Sequence, residues 1–273
     1  MSWLQDWVLG EGSWLRLGRS LLLIYLIVAV YLYFGADALI FHPPRPTYSL
    51  SEEIKLIPVG QSDRLAARYV ANPEAHFTLL FSHGNGEDLG MVEPFLQTLR
   101  QWGFSVLAYD YRGYGLSSGR PSERHAYADA LAAYTYLTEE LRVPPERVIL
   151  YGRSLGGGVA TELATQVAIA GLVLESTFTS IFRVVVPFPL FPFDRFINRD
   201  KLPQVKVPLL ILHGTADSIV PFRHSQHLFT IAREPKFSLW VEGADHNDFV
   251  EVAGDRLRTA LQEFATFVKA QSA

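Results

Sequence analysis

The stretch Val148-Ile149-Leu150-Tyr151-Gly152-Arg153-Ser154-Leu155-Gly156-Gly157-Gly158 decides the fold. Its first four residues are the apolar, β-branched and aromatic types of a buried strand, and residues 155–168 carry a helical pattern. Between them stands Gly-x-Ser-x-Gly, in the strand-turn-helix setting where this motif holds a nucleophile. The turn is too sharp for side chains at the flanking positions, which is what the glycines supply. The serine backbone is expected to be strained, with Oγ projecting above the sheet edge. The helix behind it aims its positive end at the same spot, where an anion would develop. Alone, the motif is also compatible with a glycine-rich turn that carries an incidental serine.

Apolar runs of strand length occur at 54–59, 65–70, 77–82, 105–109, 148–151, 172–174, 209–212 and 237–241. Helical patterns at 89–101, 122–141, 155–168, 223–232 and 249–269 alternate with them. Such alternation builds a mainly parallel central sheet flanked by helices on both faces, an α/β class. Active sites of these sheets collect at the carboxyl ends of the strands, so chemical residues should follow strands at once.

Serine is a poor nucleophile until a base takes its proton. Behind a strand-turn-helix serine the expected chain order is Ser, then acid, then His. His246 lies in Val241-Glu242-Gly243-Ala244-Asp245-His246-Asn247-Asp248, just past the last strand, and is the expected general base. Asp217 follows the 209–212 strand and is the expected acid, orienting the imidazole. Asp194 is a rival without a strand before it. Asp245 and Asp248 are expected to cap the last helix. His213 is expected to bond locally. His224 and His227 read as solvated helix residues; with no third ligand in view, no metal is expected, and no cofactor. The loop His83-Gly84-Asn85-Gly86 follows the 77–82 strand. The oxyanion hole is therefore assigned to the backbone N–H groups of Leu155 and Asn85. One such donor is worth about 3 kcal/mol in the transition state.

The 273 residues suit one large domain plus an extension, and a net charge of -4 without charge runs points away from nucleic acid. No cysteine is present, which excludes disulfides, a thiol nucleophile and S-acylation. Residues 20–36 carry no charge, and the apolar character continues to residue 41 past Asp37. Residues 20–41 are long enough for a transmembrane helix. A buried core helix and a cleaved signal peptide are rivals, but no convincing cleavage site follows. Trp3, Trp7 and Trp14 give residues 1–19 the look of an interfacial segment. Arg16 and Arg19 before the span place the N-terminus in the cytoplasm by the positive-inside rule. Residues 42–50, with Pro43, Pro44 and Pro46, read as a stiff linker before a catalytic domain over 51–273. Within it, residues 178–204 are rich in Pro, Phe and Val and form a candidate cap, or else ordinary core.

Residues 80–90, the run Tyr109-Asp110-Tyr111-Arg112-Gly113-Tyr114-Gly115 with its continuation to Gly119, residues 149–156 and residues 240–248 together resemble the α/β-hydrolase domain-containing proteins 13 and 17. The resemblance covers the chain from about Phe41 onward. It implies an α/β-hydrolase fold with a short cap, and esterase, thioesterase or lipase-like chemistry on acyl groups. Serine rather than aspartate at position 154 argues against the dehalogenases and epoxide hydrolases of that scaffold. The type 17 proteins carry a cysteine-rich N-terminal tether, which this chain replaces with a hydrophobic span. Gly113-x-Gly115 reads as a tight loop near the site, since Ser118 stands where a nucleotide-binding loop needs its third glycine. The expected substrate is an acyl ester or thioester, lipidic or on an acylated protein, with the membrane as partner. A serine peptidase or amidase using the same triad, and a non-enzymatic membrane scaffold, are the alternatives.

Overall fold

The computed structural model describes residues 14–271. Trp3 and Trp7 of the expected interfacial segment lie outside the described residues. Helix α1 (Trp14–Ile40) is followed by a sheet of eight strands: β1 (Ile54–Val59), β2 (Asp63–Val70), β3 (Thr78–Ser82), β4 (Ser105–Tyr109), β5 (Val148–Arg153), β6 (Gly171–Glu175), β7 (Leu209–Gly214) and β8 (Lys236–Val241). Their order across the sheet is β1-β2-β4-β3-β5-β6-β7-β8. β1 and β2 pair antiparallel, β2 joins β4 antiparallel, and the ladders from β4 to β8 are parallel. This is the α/β-hydrolase fold expected.

The period-two alternation of a strand sends neighbouring residues to opposite faces. Leu80, Leu107, Leu150, Leu172 and Ile211 enter one core, together with α3 (Glu123–Thr135), α4 (Leu155–Ala164) and α7 (Arg223–Ile231). Leu79, Val106, Ile149, Val173 and Leu210 enter the other, with α2 (Leu89–Gln101), α8 (Phe249–Ala253) and α9 (Asp255–Gln271). With both faces covered, the inner parallel strands β4, β3, β5, β6 and β7 are buried along almost their whole length, while the edge strand β8 stays largely half-buried or exposed.

Several details differ from expectation. The single helix read over 249–269 is two, broken at Gly254, whose φ of 51° a helix cannot accommodate. The helix read over 122–141 ends in a π-turn at Tyr136–Glu140. Residues 178–204, the candidate cap, are partly helical. They hold α5 (Ile181–Val185) and α6 (Asn198–Lys201), with Asp194 capping α5 through the Phe182 N–H (2.8 Å).

The 42–50 segment does not hold α1 away from the domain. Ala36, Ile40 and Phe41 are buried in the first core, with the Phe41 ring 6.0 Å from Phe196 and 6.4 Å from Tyr114. Thr47 gives its N–H to Asp88 (2.7 Å), the residue that caps α2, and Tyr48 donates its hydroxyl to Asp110. Apolar burial thus locks the C-terminal end of α1 to the sheet. Phe41→Ala should cost about 3–5 kcal/mol in chemical unfolding of the detergent-solubilised chain. A loss below about 1 kcal/mol would mean that the helix end is not part of the core.

Candidate active site

β5 runs directly into Ser154, which sits at φ 52°, ψ −114°, before α4 begins at Leu155. A non-glycine residue there is strained, and only its neighbours can hold it. They do so through close packing. A Cβ on Gly156 would lie 2.0 Å from the Ser82 carbonyl oxygen, and one on Gly152 would lie 2.4 Å from that of Gly156. The Ser154 N–H bonds to the Glu175 carbonyl (2.8 Å), and its carbonyl accepts from Thr177 Oγ1 (2.8 Å) and the Gly157 N–H (3.0 Å).

The sequence-predicted residues converge on this point. Ser154 Oγ stands 3.0 Å from His246 Nε2, and His246 Nδ1 stands 2.8 Å from Asp217 Oδ2. Asp217 follows β7 and His246 follows β8, each at a carboxyl end. His246 and Asp217 are buried, and Ser154 is half-buried. The second Asp217 oxygen accepts the N–H groups of Ile219 (3.0 Å) and Val220 (2.7 Å). Burial pushes the Asp217 carboxyl up. Hydrogen bonds from His213 and His246, the His246 charge and the Val220 N–H outweigh it and hold the group well below the usual carboxylate range. Asp217 therefore stays an anion wherever His246 works as a base.

Asn85 borders the same cavity as Ser154 and Leu155. Leu155 opens α4, so its N–H is one of the orphan donors of a helix start. The Asn85 side chain is clamped from three sides: Nδ2 donates to the Ile40 carbonyl (2.5 Å), and Oδ1 accepts from the His42 N–H (3.0 Å) and the Tyr114 hydroxyl (2.6 Å). The Gly113–Gly119 turn thus lies beside the site, as expected, with Tyr111 donating to the His83 carbonyl (2.8 Å).

Sequence reasoning missed three contributors. Asp245 is no helix cap. Its Oδ1 accepts the N–H groups of Ser218 (2.7 Å) and His246 (2.7 Å), tying the acid loop to the base loop. His213 bonds locally, as expected, with Nε2 2.8 Å from the Val220 carbonyl; its 3.2 Å contact with Asp217 Oδ2 is the part that was missed. Arg153, the variable residue inside Gly-x-Ser-x-Gly, bridges Glu87 (3.1 Å) and Glu175 (3.2 Å), and Glu87 holds the Gly84 N–H (2.7 Å). The Ser154 turn and the loop at residues 83–87 are therefore braced by one ionic network. Arg153 and Glu175, charged residues that end β5 and β6, with Glu87 in the loop after β3, were the available signal. His224 is buried rather than solvated, because it faces inward from α7 and bonds Thr179 Oγ1 (3.0 Å); His227 is exposed. Asp194 lies within residues 178–204, where it accepts from Ser180 Oγ (2.6 Å) and the Phe182 N–H (2.8 Å).

The chain is 38% identical over 262 residues to the α/β-hydrolase domain-containing protein 17B of Xenopus tropicalis, a match that covers 85% of this chain and 90% of that one. The chain belongs to the α/β-hydrolase family. The domain-containing protein aho-3 of Caenorhabditis elegans is 36% identical over 85% of this chain and 79% of its own. A family model described as serine aminopeptidase S33 matches residues 73–199, a span that holds Ser154 and ends before Asp217 and His246. Among solved structures, an esterase from Pyrococcus furiosus superposes with a TM-score of 0.70 at 20% identity, covering 82% of this chain and 98% of its own. Est1E of Butyrivibrio proteoclasticus, solved with ferulic acid, gives 0.65 at 19% identity over 78% and 99%. At these identities the structural neighbours speak for the α/β-hydrolase fold alone.

Because Asp217 stays ionised, one proton should control the acid side of the pH profile. Log kcat/KM against an ester substrate should then fall with a slope of one. A slope of two would show Asp217 titrating in the same range.

Proposed function

We propose that this α/β hydrolase is a membrane-anchored serine hydrolase that cleaves acyl esters or thioesters through an acyl-enzyme. The observation that carries the reading is the continuous hydrogen-bond chain Ser154–His246–Asp217, opening on an apolar cavity of about 240 Å³. His246 Nε2 takes the Ser154 proton as Oγ attacks the acyl carbonyl carbon. The oxygen becomes an anion and receives the N–H groups of Leu155 and Asn85. As the tetrahedral species collapses, the alcohol or thiol leaves with the proton from His246. Water then repeats the attack with His246 again as base, releasing the carboxylic acid and Ser154. An apolar cavity at the nucleophile suits an acyl chain, so lipids and acylated proteins are the substrates favoured.

Helix α1 supports the anchor. Residues 16–40 are long and apolar enough to cross a membrane, yet only 11% of its most apolar window is buried. That exposure argues against a core helix. Its end supplies core residues and holds Asn85, which argues against a signal peptide removed after export. Arg16 and Arg19 favour a cytoplasmic N-terminus, with the hydrolase domain on the other side.

The serine aminopeptidase description of the matching family favours a second reading, amide cleavage by the same triad. Both readings require Ser154. A fluorophosphonate probe should label the wild-type chain and leave Ser154→Ala unlabelled, and p-nitrophenyl acetate should turn over faster than the matched p-nitroanilide. Equal labelling of the two chains would refute the serine-hydrolase reading; faster anilide turnover would move the assignment to an amidase.

A further inference from the structure

Two apolar cavities meet at the C-terminal end of α1. The first holds Ser154 and Leu155 and measures about 240 Å³. The second measures about 250 Å³ and runs between α1 and the cap, past Leu32, Phe182 and Leu190. Leu39, Ile40, Ile181 and Val185 line both. We propose that the two form one acyl-chain groove, entered sideways from the hydrocarbon layer between the anchor helix and the cap and ending at Ser154 Oγ. The proposal rests on the serine-hydrolase reading and adds where the acyl chain lies.

The cap follows α1 over a long distance. The Tyr25 hydroxyl donates to the Leu190 carbonyl (3.0 Å), and the Tyr25 ring stacks on Phe191 at 5.5 Å. Tyr33 meets Phe193 edge-on at 5.2 Å, and its carbonyl accepts from Arg195 (2.6 Å). From Leu39 back to Tyr25 is about 21 Å of helix, against a hydrocarbon core about 30 Å thick. Tyr25 and Tyr33 both lie inside the uncharged stretch of residues 20–36. If that stretch spans the bilayer, residues 186–193 lie at hydrocarbon depth beside it.

A non-helical backbone at that depth must leave few polar groups unpaired. Residues 186–193 meet part of that demand. Pro187, Pro189 and Pro192 have no N–H, while the N–H groups of Val186 and Leu190 bond the carbonyls of Phe182 (2.8 Å) and Phe188 (2.9 Å). Val185 and Phe188, which line the groove, are 83% and 57% exposed, so the groove is open along this side. The proline-rich composition that resists regular structure thus removes part of the polar cost of placing the cap in lipid. An acyl chain lying in the groove with its carbonyl at Ser154 would extend its methyl end toward Leu32. Its methylenes would leave one apolar medium for another, and the ester would reach the oxyanion donors without crossing bulk water.

The groove acts as a ruler, and the full-length chain in lipid nanodiscs can be tested as one. The substrates are p-nitrophenyl esters with acyl chains from acetyl to palmitoyl. For wild type, kcat/KM referred to the ester free in water should rise up to about fourfold per methylene until the groove is full. Leu39→Trp, at the junction, should stop the rise early and lower the dodecanoyl-to-butyryl ratio by about tenfold or more. Leu32→Trp, farther along, should spare chains up to about octanoyl and lower only the longest, a position estimated from the rise per helical residue. Val185→Trp narrows the same junction from the cap side and replaces Leu39→Trp if that variant does not fold, as judged by fluorophosphonate labelling. Equal depression of every chain length by both variants would overturn the groove. So would a flat wild-type profile with Ser154-dependent acetate turnover, which leaves the hydrolase reading intact. A wild-type chain inactive on every ester, acetate included, would overturn both.

Discussion

Ser154 can hold φ 52° because nothing larger than hydrogen occupies the α-carbons of Gly152 and Gly156. A backbone in that region costs on the order of 1–3 kcal/mol and persists only when its surroundings over-determine it. Here the Ser82 carbonyl, the Glu175 carbonyl and Thr177 Oγ1 all close on the turn. The strain lifts Oγ out of the sheet and toward His246. Everything else in the site is placed relative to that atom: the acid and base loops at the ends of β7 and β8, and the oxyanion loop at the end of β3.

The parts of this arrangement that follow from local pattern were legible in the sequence. Ser154, Asp217 and His246 each come directly after a buried strand, and the order of the strands in the chain brings those ends to one edge. The parts that depend on side chains meeting across the fold were not legible. Asp245 sits next to His246 in sequence, and only the proximity of the Ser218 loop reveals it as a tie between acid and base. Arg153 looks like the free position of a motif until Glu87 and Glu175 are seen on either side of it. The proline-rich stretch 42–50 reads as a spacer because proline resists helix, yet Thr47 and Tyr48 bind it to the domain.

That docking changes the meaning of the N-terminal helix. An anchor on a flexible tether would only raise the local concentration of the domain at a membrane. Here Ile40 offers its carbonyl to Asn85, and Phe41 fills the core beneath Tyr114, which also bonds Asn85. The residue assigned to the oxyanion hole is thus positioned by the end of the helix that would enter the bilayer. Helix α1, residues 178–204 and the Asn85 loop form one packed unit.

The central claim is that Ser154 carries the acyl group during turnover. Rapid quenching of the wild-type chain with a p-nitrophenyl ester, followed by proteolysis and mass spectrometry, reads this directly. The account predicts a burst of p-nitrophenol stoichiometric with the enzyme and an acyl mass increment on Ser154 alone. An acyl group found on a different side chain during turnover would contradict it.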